Sequence, residues 1–391
     1  MRLLIATFPN DVHALEVALV LRSKGHEVVQ WYGSDFPTLQ TGSVDFDGNG
    51  ARWSAAGAEL ALVGADPHGS DRDGSEFDVV WNRRSAAPVL PARMHPGDRP
   101  MAQRECEDFL AGLWELVAPR AYWVNPLATR ARAELKLVQL REAQQAGLAI
   151  PRTLSSNDPR RIRAFLAEAG CPVIYKAFYP AVWKDGDRLA HLLTSEVDAA
   201  TLPEDEVLRL TPGIFQPRLE KAHELRVTVM GPRVITARIV SQTHAATRLD
   251  WRARTVELAI EPDELPSEVE RGVHELMRRL GLVFGCLDFI VTPEGRHVFL
   301  EVNPMGQFLW VEDVNPALRM LGPFCEFLLA RGAATTGGAC EDVRHADWCA
   351  RAEAEGKALA RAHVRWESDF AYTDSSTPPP VVPGRNSTPK E

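Results

Sequence analysis

Two short β-rich runs joined by a turn constrain this chain more tightly than any other part of it. Cys286 to Thr292 and His297 to Asn303 are mostly apolar or β-branched, and Pro293, Glu294, Gly295 and Arg296 between them form a turn-rich quartet. Such a pattern reads as an antiparallel hairpin with a four-residue loop. With Thr292 and His297 closing that loop, Asp288 lies opposite Glu301, Leu287 opposite Val302, Phe289 opposite Leu300 and Val291 opposite Val298. One face is then wholly apolar, while the other carries Asp288, Glu301 and Asn303, with Ile290 and Phe299 beyond. Like charges directly opposed on a ladder repel, and carboxylates beside Ile and Phe are partly desolvated. Either this face is solvated and the repulsion is mild, or a cation sits between the two acids. Two carboxylates and one amide are hard oxygen donors of the kind that hold magnesium together with substrate phosphates.

A magnesium site points to a nucleotide, yet no G-x-x-x-x-G-K-[ST] loop occurs, and the G-x-G at Gly48 to Gly50 lacks a third glycine and a following helix. Lysines on regular elements must then hold the phosphates. Lys136 lies in a helical stretch after Asn125-Pro126, and Lys176 interrupts the apolar strand Pro172 to Phe178. A lysine within such a strand is costly to bury unless it meets an anion; an edge strand with Lys176 reaching solvent, and a solvated helix face for Lys136, are the alternatives.

Around this stretch, strands and helices alternate. Leu3 to Ala6, a helix from about Asp11 to Lys24 closed by Gly25, and Glu27 to Trp31 read as strand, helix, strand. Residues from about Asp35 to Asp78 read as loops and irregular strands. The strand Phe77 to Trp81, a helix near Gln103 to Val117 and the strand Tyr122 to Val124 complete an α/β domain over residues 1–124. From 125 to 331 the reading is α+β: a helix from Thr129 to Gly147, a second from Asp158 to Ala169, strands at Ile214 to Leu219, Glu224 to Met230 and Arg233 to Val240, and helices at Ser267 to Leu280 and Pro316 to Ala330. Residues 332–391 read as a linker, a solvated helix from His345 to Trp366 and a disordered Pro-rich tail.

Composition narrows the function. The chain has 391 residues, with 53 Asp plus Glu against 44 Lys plus Arg, a formal charge of -9 that argues against nonspecific duplex binding. Its six cysteines form no C-x-x-C pair, and no apolar run approaches the roughly 20 residues of a membrane helix, so a cytoplasmic location with no nucleic acid or membrane partner is expected.

In order and spacing, Lys136, Lys176, the segment Phe215 to Lys221, Glu224-Leu225-Arg226, Arg238, Asp288 and Glu301-Val302-Asn303 resemble the ATP-grasp superfamily. Trp81-Asn82-Arg83-Arg84, Trp123-Val124-Asn125, Gly147 to Leu154 and Glu301 to Trp310 look more narrowly like the microviridin-type ligases, which crosslink ribosomally made graspetide precursors through side-chain esters and amides. The resemblance implies an ATP-grasp fold preceded by an N-terminal α/β pre-ATP-grasp domain, and ATP and Mg2+ as cofactors. Lys136 and Lys176 would hold phosphates, Gln216, Pro217, Arg218 and Leu219 would form the adenine hinge, and Glu224 would accept from the ribose. Arg226 and Arg238 would be the catalytic cations facing the γ-phosphate and acyl phosphate, and Asp288, Glu301 and Asn303 the metal ligands. His244 and Asp250-Trp251-Arg252 would face the acceptor. A precursor peptide as substrate and a homodimer are also implied. Asn82 departs from the usual aromatic and Met305 from a common polar residue, and residues 340–391 extend past the match. An amino-acid or small-amine ligase and an inactive ATP-binding scaffold are the competing expectations.

Overall fold

The computed structural model describes residues 1–364 except 49, 58–59, 68–76, 179–181, 186–187, 192–193, 253–257 and 335–337. The chain opens with β1 (Arg2–Thr7), α1 (Val12–Ser23) and β2 (Glu27–Tyr32). Asp11 starts α1 by accepting from the Ala14 N–H, so one orphan amide of the first turn is satisfied. A regular meander of β3 (Thr41–Asp47), β4 (Gly50–Ala56) and β5 (Ala61–Pro67) follows where loops and irregular strands were expected. Its Gly, Ser and Asp content hides the alternation of Ala51, Trp53 and Ala55, all buried; Trp53 and Ala55 pack with Leu110, Leu113 and Trp114. Those last three lie on α2 (Arg99–Leu116), which comes after β6 (Val79–Asn82) and before β7 (Tyr122–Val124). The strands assemble as a parallel sheet in the order β2-β1-β6-β7.

The next helix is two helices, α3 (Leu127–Ala133) and α4 (Lys136–Gln145), where one was expected. Leu135 is extended, with φ -71° and ψ 109°, so the chain restarts and Lys136 becomes the first residue of α4. Then come β8 (Leu154–Ser156), α5 (Pro159–Ala169), β9 (Val173–Lys176), β10 (Val182–Asp185), β11 (Arg188–His191), β12 (Ser195–Val197), α6 (Asp205–Leu210) and β13 (Gly213–Pro217). Four of these strands form an antiparallel sheet, β12-β9-β13-β8, over a small core of Ile162, Phe165, Val173, Leu208 and Phe215.

The largest sheet, β16-β15-β14-β17-β18, is antiparallel and uses β14 (His223–Met230), β15 (Arg233–Ile239), β16 (Ile260–Asp263), β17 (Phe284–Val291) and β18 (His297–Asn303). Helix α7 (Ser267–Leu280), amphipathic as its sequence requires, lays Val273, Leu276, Met277 and Leu280 against Leu225, Val227, Leu287, Phe289, Phe299 and Val302 of the sheet's inner face. The hairpin register holds as expected from Cys286 opposite Asn303 through Asp288 opposite Glu301, then shifts by one residue, so that Phe289 faces Phe299 and Val291 faces His297. This β-bulge corrects the expected pairing of Phe289 with Leu300. It turns Phe299 into the core, where its ring meets Phe289 at 5.6 Å, while Glu301 stays on the polar face beside Asp288.

After β18 the expected helix from Pro316 to Ala330 is again divided, into α8 (Leu309–Val314) and α9 (Leu321–Leu329), and α10 (Cys349–Ala362) follows. The last segment is the solvated helix expected, packing through few residues. Ala352 is buried against Leu15 and Leu19 of α1, Gly356 lies against Leu15 and Asn10, and two buried histidines pin its ends. His345 Nδ1 is 2.6 Å from Glu16 Oε2, and His363 Nδ1 is 2.6 Å from Asp35 Oδ2. Residues 365–391, where the tail was expected to be disordered, lie outside the described residues.

The His345 pair gives a pH prediction. Burial alone would lower the imidazole pKa, but hydrogen bonding to Glu16 and the charges of Glu16, Asp313 and Glu312 outweigh it and raise it above 6.5. A raised histidine pKa stabilises the fold below the unfolded value and loses that contribution as pH rises through the folded value. The melting temperature of the wild type minus that of a His345→Gln variant is therefore expected to shrink as pH is raised from about 6 to 9; a difference that stays flat would refute the linkage.

Candidate functional site

The outer face of the large sheet carries one row of charge running across three strands: Arg226 on β14 is opposite Asp288 on β17, which is opposite Glu301 on β18. Arg226 Nη1 donates to both oxygens of Asp288, at 2.9 and 3.0 Å, and Nη2 donates to the Gln307 carbonyl at 3.0 Å. Only 6% of Arg226 is exposed, so this is a buried ion pair whose parts depend on each other. Lys136 Nζ lies 2.5 Å from Glu301 Oε2. Asn303 donates its amide N–H to Asp288 Oδ2 at 3.3 Å. The two carboxylates are in unlike electrostatic settings. Burial pushes Asp288 up despite Arg226, and the Glu301 charge adds to the rise. Burial also pushes Glu301 up, but Lys136, Arg252 and Lys176 outweigh it and hold Glu301 well below the usual carboxylate range.

Amide side chains lock this row in place. Gln139, one turn after Lys136 on α4, donates to the Val302 carbonyl at 2.8 Å and accepts from the Val302 N–H at 3.1 Å. That clip sets α4 beside β18 and aims Lys136 at Glu301. Asn125, in the left-handed region at φ 56°, donates to the carbonyls of Phe284 and Pro304 at 2.7 and 2.8 Å and accepts from Val283 N–H at 3.1 Å. It thus fastens the segment after β7 to both strands of the metal-type hairpin. Gly306 has φ 39°, and a Cβ there would meet Cys286 Sγ at 2.6 Å, so the turn after β18 needs glycine.

Opposite this face stand further cations. Lys176 on β9 makes no hydrogen bond or ion pair with a described residue; burial lowers its pKa, Glu301 opposes that, and Arg252 and Lys221 add to the fall. Arg252 is held by Asp250 through Nε to Oδ1 at 2.8 Å and Nη2 to Oδ2 at 2.7 Å. Burial raises Asp250, but the Arg252 hydrogen bonds and charge bring it down to about 2. Trp251, between them, stacks on Trp310 at 5.1 Å. From the sequence Arg252 was read only as part of an acceptor-facing segment and Lys221 only as the end of the segment Phe215 to Lys221; the loop after β15 brings Arg252 beside Lys176 and the Leu249 carbonyl to Lys221, for which the sequence carries no local mark.

Lys221 Nζ donates to Glu224 Oε1 at 2.7 Å and to the Leu249 carbonyl at 2.9 Å. Glu224 is buried, burial raises its pKa, and its Oε2 has no hydrogen-bond partner among the described residues. A buried acceptor without a donor is costly, and a diol would supply what it lacks. Of the hinge residues, Gln216 spends its side chain on Thr153 Oγ1 at 2.9 Å, Pro217 ends β13, and the Arg218 N–H donates to Pro172 while its guanidinium pairs with Glu196. Leu219 N–H has no partner among the described residues.

Arg238 is not brought to this site, which corrects the expectation that it faces the γ-phosphate beside Arg226. It pairs with Leu225, so its side chain leaves the opposite face of the sheet, is 40% exposed, and binds Asp263 Oδ2 at 2.9 Å; Ala237 is the residue opposite Arg226.

The oxygen donors fit a magnesium ion only as part of a larger shell. Among the described residues no three His, Cys, Asp or Glu side chains are grouped to hold a metal, whereas Asp288, Glu301 and the Asn303 amide oxygen, which accepts no hydrogen bond among those residues, are hard oxygen donors that would supply part of the shell of a magnesium ion.

No protein-family model and no curated protein matches the chain. Solved structures do. The macrocyclase MdnC of Microcystis aeruginosa MRC, bound with precursor peptide MdnA, is 29% identical with a TM-score of 0.71, over 84% of this chain and 100% of that one. The macrocyclase MdnB of the same organism is 29% identical with a TM-score of 0.68, over 84% and 98%. A RiPP-associated ATP-grasp ligase of Chryseobacterium gregarium, in complex with ADP and a leader and core peptide, shares the fold at 24% identity and a TM-score of 0.73, over 84% and 97%.

Proposed function

We propose that this chain, an ATP-grasp ligase of the kind its sequence resembles, activates Asp or Glu side chains of a ribosomally made precursor peptide and joins them to a hydroxyl or amine as an ester or amide. The fold likeness to two macrocyclases at 29% identity supports the reading. The observation that carries it is the facing of Lys176, a half-buried cation with no described partner, and the carboxylate row of Asp288 and Glu301, a cleft with cations for phosphate and oxygens for a metal.

The peptide carboxylate displaces ADP from the γ-phosphorus, and the resulting acyl phosphate is opened by the nucleophile with loss of phosphate, so the net change in the peptide is loss of water. Lys136, Lys176 and Arg252 hold the phosphates and neutralise developing charge in a desolvated cleft. Asp288, Glu301 and Asn303 would hold magnesium, which would supply Lewis-acid stabilisation of the phosphate charge. Arg226 keeps Asp288 oriented and ionised. Glu224 Oε2 would accept from the ribose, and the Leu219 N–H would donate to the adenine edge. The chain's work is placement and electrostatics.

Incubation with ATP, magnesium and a peptide carrying repeated Thr and Asp/Glu blocks is expected to release ADP and to lower the peptide mass by about 18 units per ring. Addition of an amino acid mass would instead support a small-amine ligase, and no ADP with any carboxylate an inactive scaffold. A homodimer, soluble and cytoplasmic, belongs to the same proposal; light scattering tests the first part.

A further inference from the structure

The parallel sheet ends at a second polar site that the reaction described above does not use. In the order β2-β1-β6-β7 the chain runs from β1 to one side and from β6 to the other, so the carboxyl ends of β1 and β6 flank a topological switch point, where open α/β sheets bind their ligands. Asp11 and His13 follow β1, and Arg83 and Arg84 follow β6. The N-terminus of α1, a helix of twelve residues with no acid in its first turn, opens at the same place and favours an anion.

Donors exceed acceptors there. Arg83 is fully buried; Nη1 donates to the Met305 carbonyl at 2.5 Å, Nε lies 3.4 Å from Asp11 Oδ2 without hydrogen-bond geometry, and Nη2 has no partner among the described residues. Arg84 stacks over Phe8 at 5.8 Å, and its guanidinium makes no hydrogen bond or ion pair with a described residue. Arg130 on α3 donates to Asn82 Oδ1 at 3.3 Å, but its Nε, 3.4 Å from Glu134, makes no hydrogen bond with a described residue. His13 Nδ1 is buried with no partner among the described residues, and burial, then Arg83, lowers the imidazole pKa well below 6.5. Three guanidinium groups thus meet two carboxylates, and Asp11 already accepts from Thr7 and Ala14. An unsatisfied buried donor is costly, and a guanidinium fork matches a carboxylate.

The site adjoins the reacting centre through one turn. Arg83 holds the Met305 carbonyl and Arg226 the Gln307 carbonyl, so the turn after β18 is clamped between the two arginines. We infer that Arg84, with Arg83 and Arg130, forms a carboxylate-binding subsite that receives an acidic side chain of the peptide substrate and sets the preference for acidic cores. The inference rests on the peptide-ligase reading and names a specificity determinant for it.

Arg84→Gln tests it, with folding checked by the unliganded melting temperature. With a Thr/Asp/Glu-repeat peptide, KM for the peptide is expected to rise about 10- to 100-fold while KM for ATP holds, and Arg84→Lys is expected to recover part of the loss. An unchanged peptide KM, or a rise in KM for ATP instead, overturns the subsite. Glutarate, as a small dicarboxylate probe, gives a readout that needs no turnover. It is expected to raise the melting temperature of the wild type and not of Arg84→Gln. That result without ADP release from any peptide keeps the subsite and removes the ligase reading; no shift in the wild type, or equal shifts in both, removes the subsite.

Discussion

Glu301→Gln is expected to reduce ADP release by about a hundredfold or more while leaving the protein folded. Glu301 is the point on which Lys136, Arg252 and Lys176 converge, and it stands opposite Asp288 in the row that would hold the metal. The substitution preserves size and removes only the charge. Three cations then lose their common counter-charge, and the metal loses a ligand, so phosphate would still be attracted but no longer placed. The measurement is a coupled ADP assay at saturating ATP beside a thermal melt. Retained turnover would sink the metal assignment; loss of turnover with loss of fold would assign Glu301 to stability alone.

Arg226→Met is expected to act mainly on stability. Asp288 is held by two hydrogen bonds from Arg226 Nη1, and both residues sit largely out of water at 7% and 14% side-chain exposure. Removing one member of such a pair leaves the other charge buried without its partner, a cost of about 3–5 kcal/mol. Urea denaturation followed by circular dichroism reads it. Adding Asp288→Asn should return more than half of the loss, because the orphaned charge goes with it. A single substitution costing under about 1 kcal/mol would mean that water reaches Asp288 freely.

Much of this site was legible before the structure. The alternation of Cys286 to Val291 and the turn at Pro293 to Arg296 placed Asp288 opposite Glu301, and the structure has that pair. The bulge was not legible, since one extra residue at Leu300 leaves a run of apolar residues that either face accepts. The face of Arg238 could have been read. A two-residue turn at Gly231-Pro232 pairs Met230 with Arg233 and so sets Arg226 against Ala237, and period-two alternation then sends Arg238 the other way. The break before Lys136 was hidden because Glu134 and Leu135 are good helix formers; what ends α3 is the docking of Gln139 onto Val302, a tertiary contact. The burial of His345 and His363 was hidden for the same reason at greater range, their carboxylates lying 329 and 328 residues away.

That separation bears on how the protein is made. Glu16 and Asp35 leave the ribosome early, and the imidazoles that pair with them are synthesised near the end of the described chain. Until then α1 carries a buried-side carboxylate with no imidazole to meet it, and its Leu15 and Leu19 lack the cover of Ala352. Closing a loop of that length comes late and slowly relative to local structure. The first α/β unit is therefore completed only after the sheets that follow it in sequence, and a chain released short of His363 would leave that surface unsealed and open to association with other chains.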